Sequence, residues 1–151
     1  MLENSLILTN AHGWVHRLSE FALACSGSTV LDEASRLREV YALLSDAPSP
    51  ALLAGVALPE HSYFETLLRV GAYTSAAFAL LGDDSAMMMS RSSDGNHLAS
   101  VILPGRSEEM TAGGESAALA LAAALVLSLC DLPLMPGDFI QDMTAPALRL
   151  N

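Results

Sequence analysis

His12, His16 and Glu20 stand four residues apart, a spacing that brings all three to one face of a helix and could present three metal ligands. No fourth ligand accompanies them, nor does the His-Glu-x-x-His pattern of zinc hydrolases. Trp14, Leu18, Phe21 and Cys25 form an apolar stripe on the other side of the same segment, with Arg17 and Glu20 outward. The trio is therefore expected to be the solvated side of an amphipathic helix, and no metal or other cofactor is expected.

Gly114-Glu115-Ser116-Ala117-Ala118 has the outline of a nucleophile elbow, the sharp strand-to-helix turn that exposes a catalytic serine. Residues 107–111 before it are polar and acidic, which does not suit the buried strand that such an elbow requires. Ser116 is expected to cap a helix instead. Gly113-Gly114 ahead of a helix invites a phosphate, but Glu108, Glu109 and Glu115 would repel an anion. Asp83-Asp84 and Asp94-Gly95-Asn96 are too short for calcium loops and read as turns. Met87-Met88-Met89 could form an adaptable binding surface or fill the core. No set of residues is suited to catalysis, so no enzymatic activity is expected.

Charge narrows the classes further. The formal net charge is -10, from 17 acidic and 7 basic residues, and every basic residue is Arg. Without Lys there is neither a Walker A phosphate contact nor a Schiff-base amine. Nucleic-acid binding needs a basic face that this composition does not supply, and an anionic membrane surface is disfavoured for the same reason. Cys25 and Cys130 each sit at the apolar end of an expected helix, where free thiols act as small hydrophobes; a reducing, cytoplasmic location follows as an expectation.

The elements that must position these residues come from patterning. With 151 residues, 52% of them hydrophobic, the chain fits one domain with its own core over residues 1–151. The longest apolar run, Ala117 to Leu129, is short of the ~20 residues that cross a bilayer, so it is expected to be a core helix. The N-terminus lacks the basic start of a signal peptide. A mean hydropathy of +0.39 is high for a lone soluble domain and points to a partner, a second copy or a bound client.

Asn10 is placed to cap the first helix, and Gly27 to end it. Residues 28–45 fit a helical stripe (Val30, Ala34, Leu37, Tyr41, Leu44) with a capping box at Thr29 and Asp32, and they also fit strand alternation. Leu52 to Leu58, bounded by Pro50 and Pro59, reads as a strand. A helix follows from Glu60, with Phe64, Leu67 and Leu68 on its apolar face. Ala76 to Leu81, Met87 to Ser90 and Leu98 to Leu103 read as short strands, the last two joined at Asp94-Gly95-Asn96. Ser116 to Cys130 is the core helix, and a proline-punctuated tail closes the chain. The fold class is α+β: an antiparallel sheet flanked by an N-terminal helix, a central interface helix and a C-terminal helix.

This order resembles that of the class I type III secretion chaperones, small acidic bacterial proteins that escort effectors to a secretion apparatus. The resemblance covers about residues 41–131. It is carried by the Ala51 to Pro59 segment, the helix with Phe64-Glu65-Thr66-Leu67-Leu68-Arg69, the segment Ala76 to Gly82, the Met87 to Pro104 hairpin and the Ser116 to Cys130 helix. Asp32 to Glu39 looks helical where the family places strands, and Gly71 stands where an Asn is common. The resemblance implies a homodimer that holds the N-terminal region of an effector in extended form along apolar patches, without ATP. Trp14, Leu18, Phe21, Tyr41 and Leu43 are then the candidate client surface, and Phe64, Leu67 and Leu68 the candidate dimer interface; the competing expectation is that all eight are core. A metal- or small-molecule-binding domain using His12, His16 and Glu20, and a structural subunit of a larger complex, are the alternatives from other classes.

Overall fold

A helix that is apolar on every side has to be surrounded, and the Ala/Leu segment near the end of the chain organises the molecule around itself. In the computed structural model, which describes residues 2–131 with side chains from residue 10 onward, this is α5 (Ala117–Cys130), and 11 of its 14 residues are buried. Ser116 caps it, its hydroxyl accepting from the Leu119 N–H at 3.2 Å. Five α-helices and three strands occur among the described residues: α1 (Leu2–Ser26), α2 (Glu33–Ser45), α3 (His61–Arg69), α4 (Tyr73–Ala79), β1 (Ala86–Arg91), β2 (His97–Ile102), β3 (Met110–Gly114), then α5. The architecture is α+β, with helices flanking an antiparallel sheet in the order β1-β2-β3.

α5 lies across one face of the sheet, against β2 and β3, and packs along α1 on its other side, with α2 and α4 closing the shell. Alternation within β2 follows from this one-sided cover: Ala99 and Val101 are buried, whereas Leu98 and Ile102 are exposed. The register is Met88↔Ser100 and Ala99↔Ala112 at the sheet centre. The buried Ser128 donates to the Val101 carbonyl at 3.2 Å, so the polar atom within the apolar helix is satisfied by the strand below.

Of residues 28–45, which fitted helix or strand from sequence, 30–45 are helical. Thr29 and Asp32 close a reciprocal capping box over a 3-10 turn at Val30–Asp32, and α2 continues from it. Asn10 does not cap α1, which begins at Leu2 and runs through it. Two expected strands are corrected. Ser49 caps and Pro50 starts a 3-10 helix, Pro50–Leu53, in place of the strand Leu52 to Leu58. Ala76 to Leu81, apolar but free of β-branched residues, belongs mostly to α4, because a short apolar run does not discriminate strand from buried helix by period. The two segments still meet at one antiparallel bridge, Val56↔Leu81.

The start of β1 is fixed by Gly55, whose φ of 89° is open to glycine and strained for other residues. Its carbonyl accepts from the Gly82 N–H at 2.7 Å and the Ser85 hydroxyl at 2.6 Å. β3, whose first residues close the polar, acidic stretch 107–111 that did not suit a strand from sequence, is a strand despite its two glycines. Arg38 of α2 donates to Glu65 of α3 at 3.0 Å, and that hydrogen bond draws the Glu65 carboxyl below its usual range. The tail from Pro133 onward lies outside the described residues.

Candidate partner-binding surface

The residues that sequence assigned to a client surface divide once folded. Trp14 and Leu18 are 0% exposed and Phe21 1%, all three packed in the core, so none offers side-chain surface to a partner in this fold. Leu43 is half-buried and its carbonyl accepts from the Trp14 indole N–H at 2.7 Å. Tyr41 is half-buried, donates to the Pro59 carbonyl at 2.6 Å and stacks at 4.8 Å on Phe64. The residues assigned to a dimer interface divide likewise. Phe64 and Leu68 are buried, and Leu67 packs partly buried against the same core. The cause is the same for both sets: an amphipathic helix turns its apolar stripe to the nearest core, which for α1 is α5 and for α3 is α4 with Tyr41 of α2.

Exposed apolar surface lies elsewhere. Leu23, near the end of α1, is 74% exposed and Met88 65%, with Leu98 and Ile102 exposed beside it in the sheet. The three methionines split: Met87 and Met89 lean on the core while Met88 faces out. Among the described residues, β3 has no strand on its far side. Beside it opens a groove of about 420 Å³ whose walls are Ser19, Ala22 and Leu23 of α1, Ala112 and Gly113 of β3, and Ala123 and Leu127 of α5. An edge strand is a row of unpaired backbone donors and acceptors, and natural edges are commonly blunted by charge or proline. Met110-Thr111-Ala112-Gly113-Gly114 carries neither.

The edge and the sheet face are continuous. Gly113 lies under Leu98, whose Cδ2 would be 3.5 Å from an added Cβ, and both residues also line a wider cleft with Ser26, Asn96, His97 and Glu115. Gly114 is held close to α5, since an added Cβ would come within 2.8 Å of the Ala120 nitrogen. Small residues in β3 thus let α5 approach on one side and keep the edge open on the other. Leu23 carried a signal in the sequence that went unused: it is an apolar residue set off the stripe of Trp14, Leu18, Phe21 and Cys25.

His12, His16 and Glu20 are exposed on α1, and the imidazole Nε2 of His16 lies 3.1 Å from Glu20 Oε1. Among the described residues no three His, Cys, Asp or Glu side chains come together in a way that could hold a metal ion. Among the described residues, too, no helix is long and apolar enough to cross a membrane. Both thiols are free, and burial pushes Cys25 up to about 12 and raises Cys130. Comparison with protein-family models, with curated proteins and with solved structures gave no match.

Proposed function

We propose that this chain is a non-enzymatic binding protein that takes an extended segment of a client as a fourth strand along β3. The observation that carries this reading is the uncharged β3 edge, which meets no further strand among the described residues and lies beside an apolar groove rimmed by the exposed Leu23. Strand addition draws affinity from main-chain hydrogen bonds and specificity from pockets for alternate side chains. The groove supplies such a pocket on the α5 side of the edge. An unfolded client, which has no strand partners of its own, is the natural occupant.

The narrower reading, an escort of secreted effectors in the bacterial cytoplasm, rests on the resemblance to class I type III secretion chaperones. Three of its five segments keep the expected form here: α3, the β1-β2 hairpin and α5. The net charge of -10 would keep a protein with open apolar surface soluble and favours basic client segments. Burial of apolar side chains, worth about 25 cal/mol per Å² before ordering costs, adds to the main-chain hydrogen bonds, and neither depends on surface charge, so binding should persist in salt that screens it.

The test is calorimetric titration with unstructured peptides of alternating apolar pattern, taken from the N-terminal regions of secreted proteins. Binding with a negative heat-capacity change, abolished by Leu23→Asp while the circular dichroism is unchanged, is the expected result. Binding unaffected by Leu23→Asp, or confined to folded partner domains, would remove this reading and favour a structural subunit.

A further inference from the structure

Ala112 is the middle residue of β3, and Glu109 and Glu115 stand three positions before and after it. At about 3.3 Å per residue, each of them is roughly 10 Å along the chain from Ala112. The residues between them, Met110 to Gly114, are uncharged. Both glutamates are exposed, and among the described residues neither takes part in an ion pair. Glu115 borders the same cleft as Gly113 and Leu98. Arginines of other segments are engaged elsewhere: Arg36, which reaches Ser28 in that cleft, pairs with Glu39 at 2.7 Å, and Arg106 donates to the Leu52 carbonyl at 3.2 Å.

We infer that the segment taken up along β3 carries one large apolar side chain and, three positions to either side of it, a basic residue; this rests on the reading of strand addition at that edge. Ala112 pairs with the buried Ala99 and so faces the side covered by α5. A strand residue opposite Ala112 therefore turns into the groove between α1 and α5. Its walls are mostly small, Ala22, Ala112, Gly113 and Ala123 with Leu23 and Leu127 beside them, and its volume of about 420 Å³ admits an aliphatic or aromatic side chain.

Residues three places away on the added strand lie opposite Glu109 and Glu115. An odd spacing turns them to the face opposite the groove, where by alternation the two glutamates continue the row of Thr111 and Gly113. Because both glutamates are equidistant from Ala112, the match does not depend on whether the segment runs parallel or antiparallel to β3. Charge selects this occupant over a second copy. Two β3 strands paired antiparallel about Ala112 would set Glu109 of each against Glu115 of the other, like charges directly opposite. Exposed ion pairs add little to affinity and more to the choice between sequences, so salt removes the preference and leaves the binding in place.

The test is calorimetric titration of the whole chain with four unstructured peptides: a central Leu with Arg three places to either side, the same peptide with Gln or with Glu at those two places, and one with both Arg moved next to the Leu. At low salt the affinities are expected to fall in the order Arg, Gln, Glu, by roughly twofold to fivefold per flank, with the moved-Arg peptide below the first. Raising the salt should close these differences, and Glu109→Gln combined with Glu115→Gln should abolish them at low salt. Equal affinity for all four, a preference that follows net charge wherever the Arg stands, or one that survives in the double variant would overturn the inference. Strand addition would then stand, with the two glutamates as guards against edge pairing. Binding by none of the four would remove strand addition and this inference together.

Discussion

The indole N–H of Trp14 donates to the carbonyl of Leu43 at 2.7 Å, tying α1 to the end of α2 with a bond between two residues of the same expected client surface. Trp14 is the only tryptophan and is 0% exposed, so its emission should be that of a buried indole and shift to the red on unfolding. Trp14→Phe removes the donor and part of the buried volume. A loss of about 1–3 kcal/mol is expected from urea titration followed by circular dichroism.

Gly113 and Gly114 are neighbours in β3 with opposite surroundings. A Cβ at Gly114 would meet the Ala120 nitrogen at 2.8 Å and Leu119 Cβ at 3.2 Å, whereas at Gly113 it would make only ordinary contacts at 3.5 and 3.6 Å. Gly114→Ala should therefore force α5 off the strand and destabilise by about 1–3 kcal/mol. Gly113→Ala should change stability little, since exposed-side substitutions stay within about 0.5 kcal/mol. Thermal melts of the two variants check the contrast, and equal effects would refute the close approach.

Cys25 is 0% exposed, and its thiol is pushed up to about 12 chiefly by burial, with Arg36 opposing. In the unfolded chain it titrates near 8.5. Because the folded value is the higher, the neutral thiol's contribution to stability is complete below the unfolded value and is lost as pH rises from there toward the folded one. Stability should thus fall over that alkaline window, and Cys25→Ala should reduce the slope. At neutral pH the labelling of Cys25 by a thiol reagent should be no faster than unfolding.

The α+β class, the amphipathic N-terminal helix, α3, the hairpin and the Ser116 cap were legible in the residues because each rests on a local signal: a stripe, a turn or a cap. The misread segments are those whose identity is decided at a distance. Ala76 to Leu81 has no period long enough to choose between helix and strand, and it becomes helical where α4 buries Ala76, Ala77 and Leu80. Met110 to Gly114 has poor strand propensity and is a strand because β2 pairs with it. The candidate surface was missed for the same reason. Trp14 looked available only until α5 was in place and Phe64 only until Tyr41 of α2 and α4 lay against α3, and Leu23 became notable only once β3 lay near it.

Amide hydrogen exchange of the whole chain, with and without a saturating extended peptide, tests the proposed function most directly. If the client adds as a strand, the amides of β3 that face away from β2 gain protection between Thr111 and Gly114, while those of β1 keep their free-state rates. Leu23→Asp should erase that change. Peptide binding that protects β1, or that leaves every β3 amide exchanging at its free rate, would contradict strand addition at this edge.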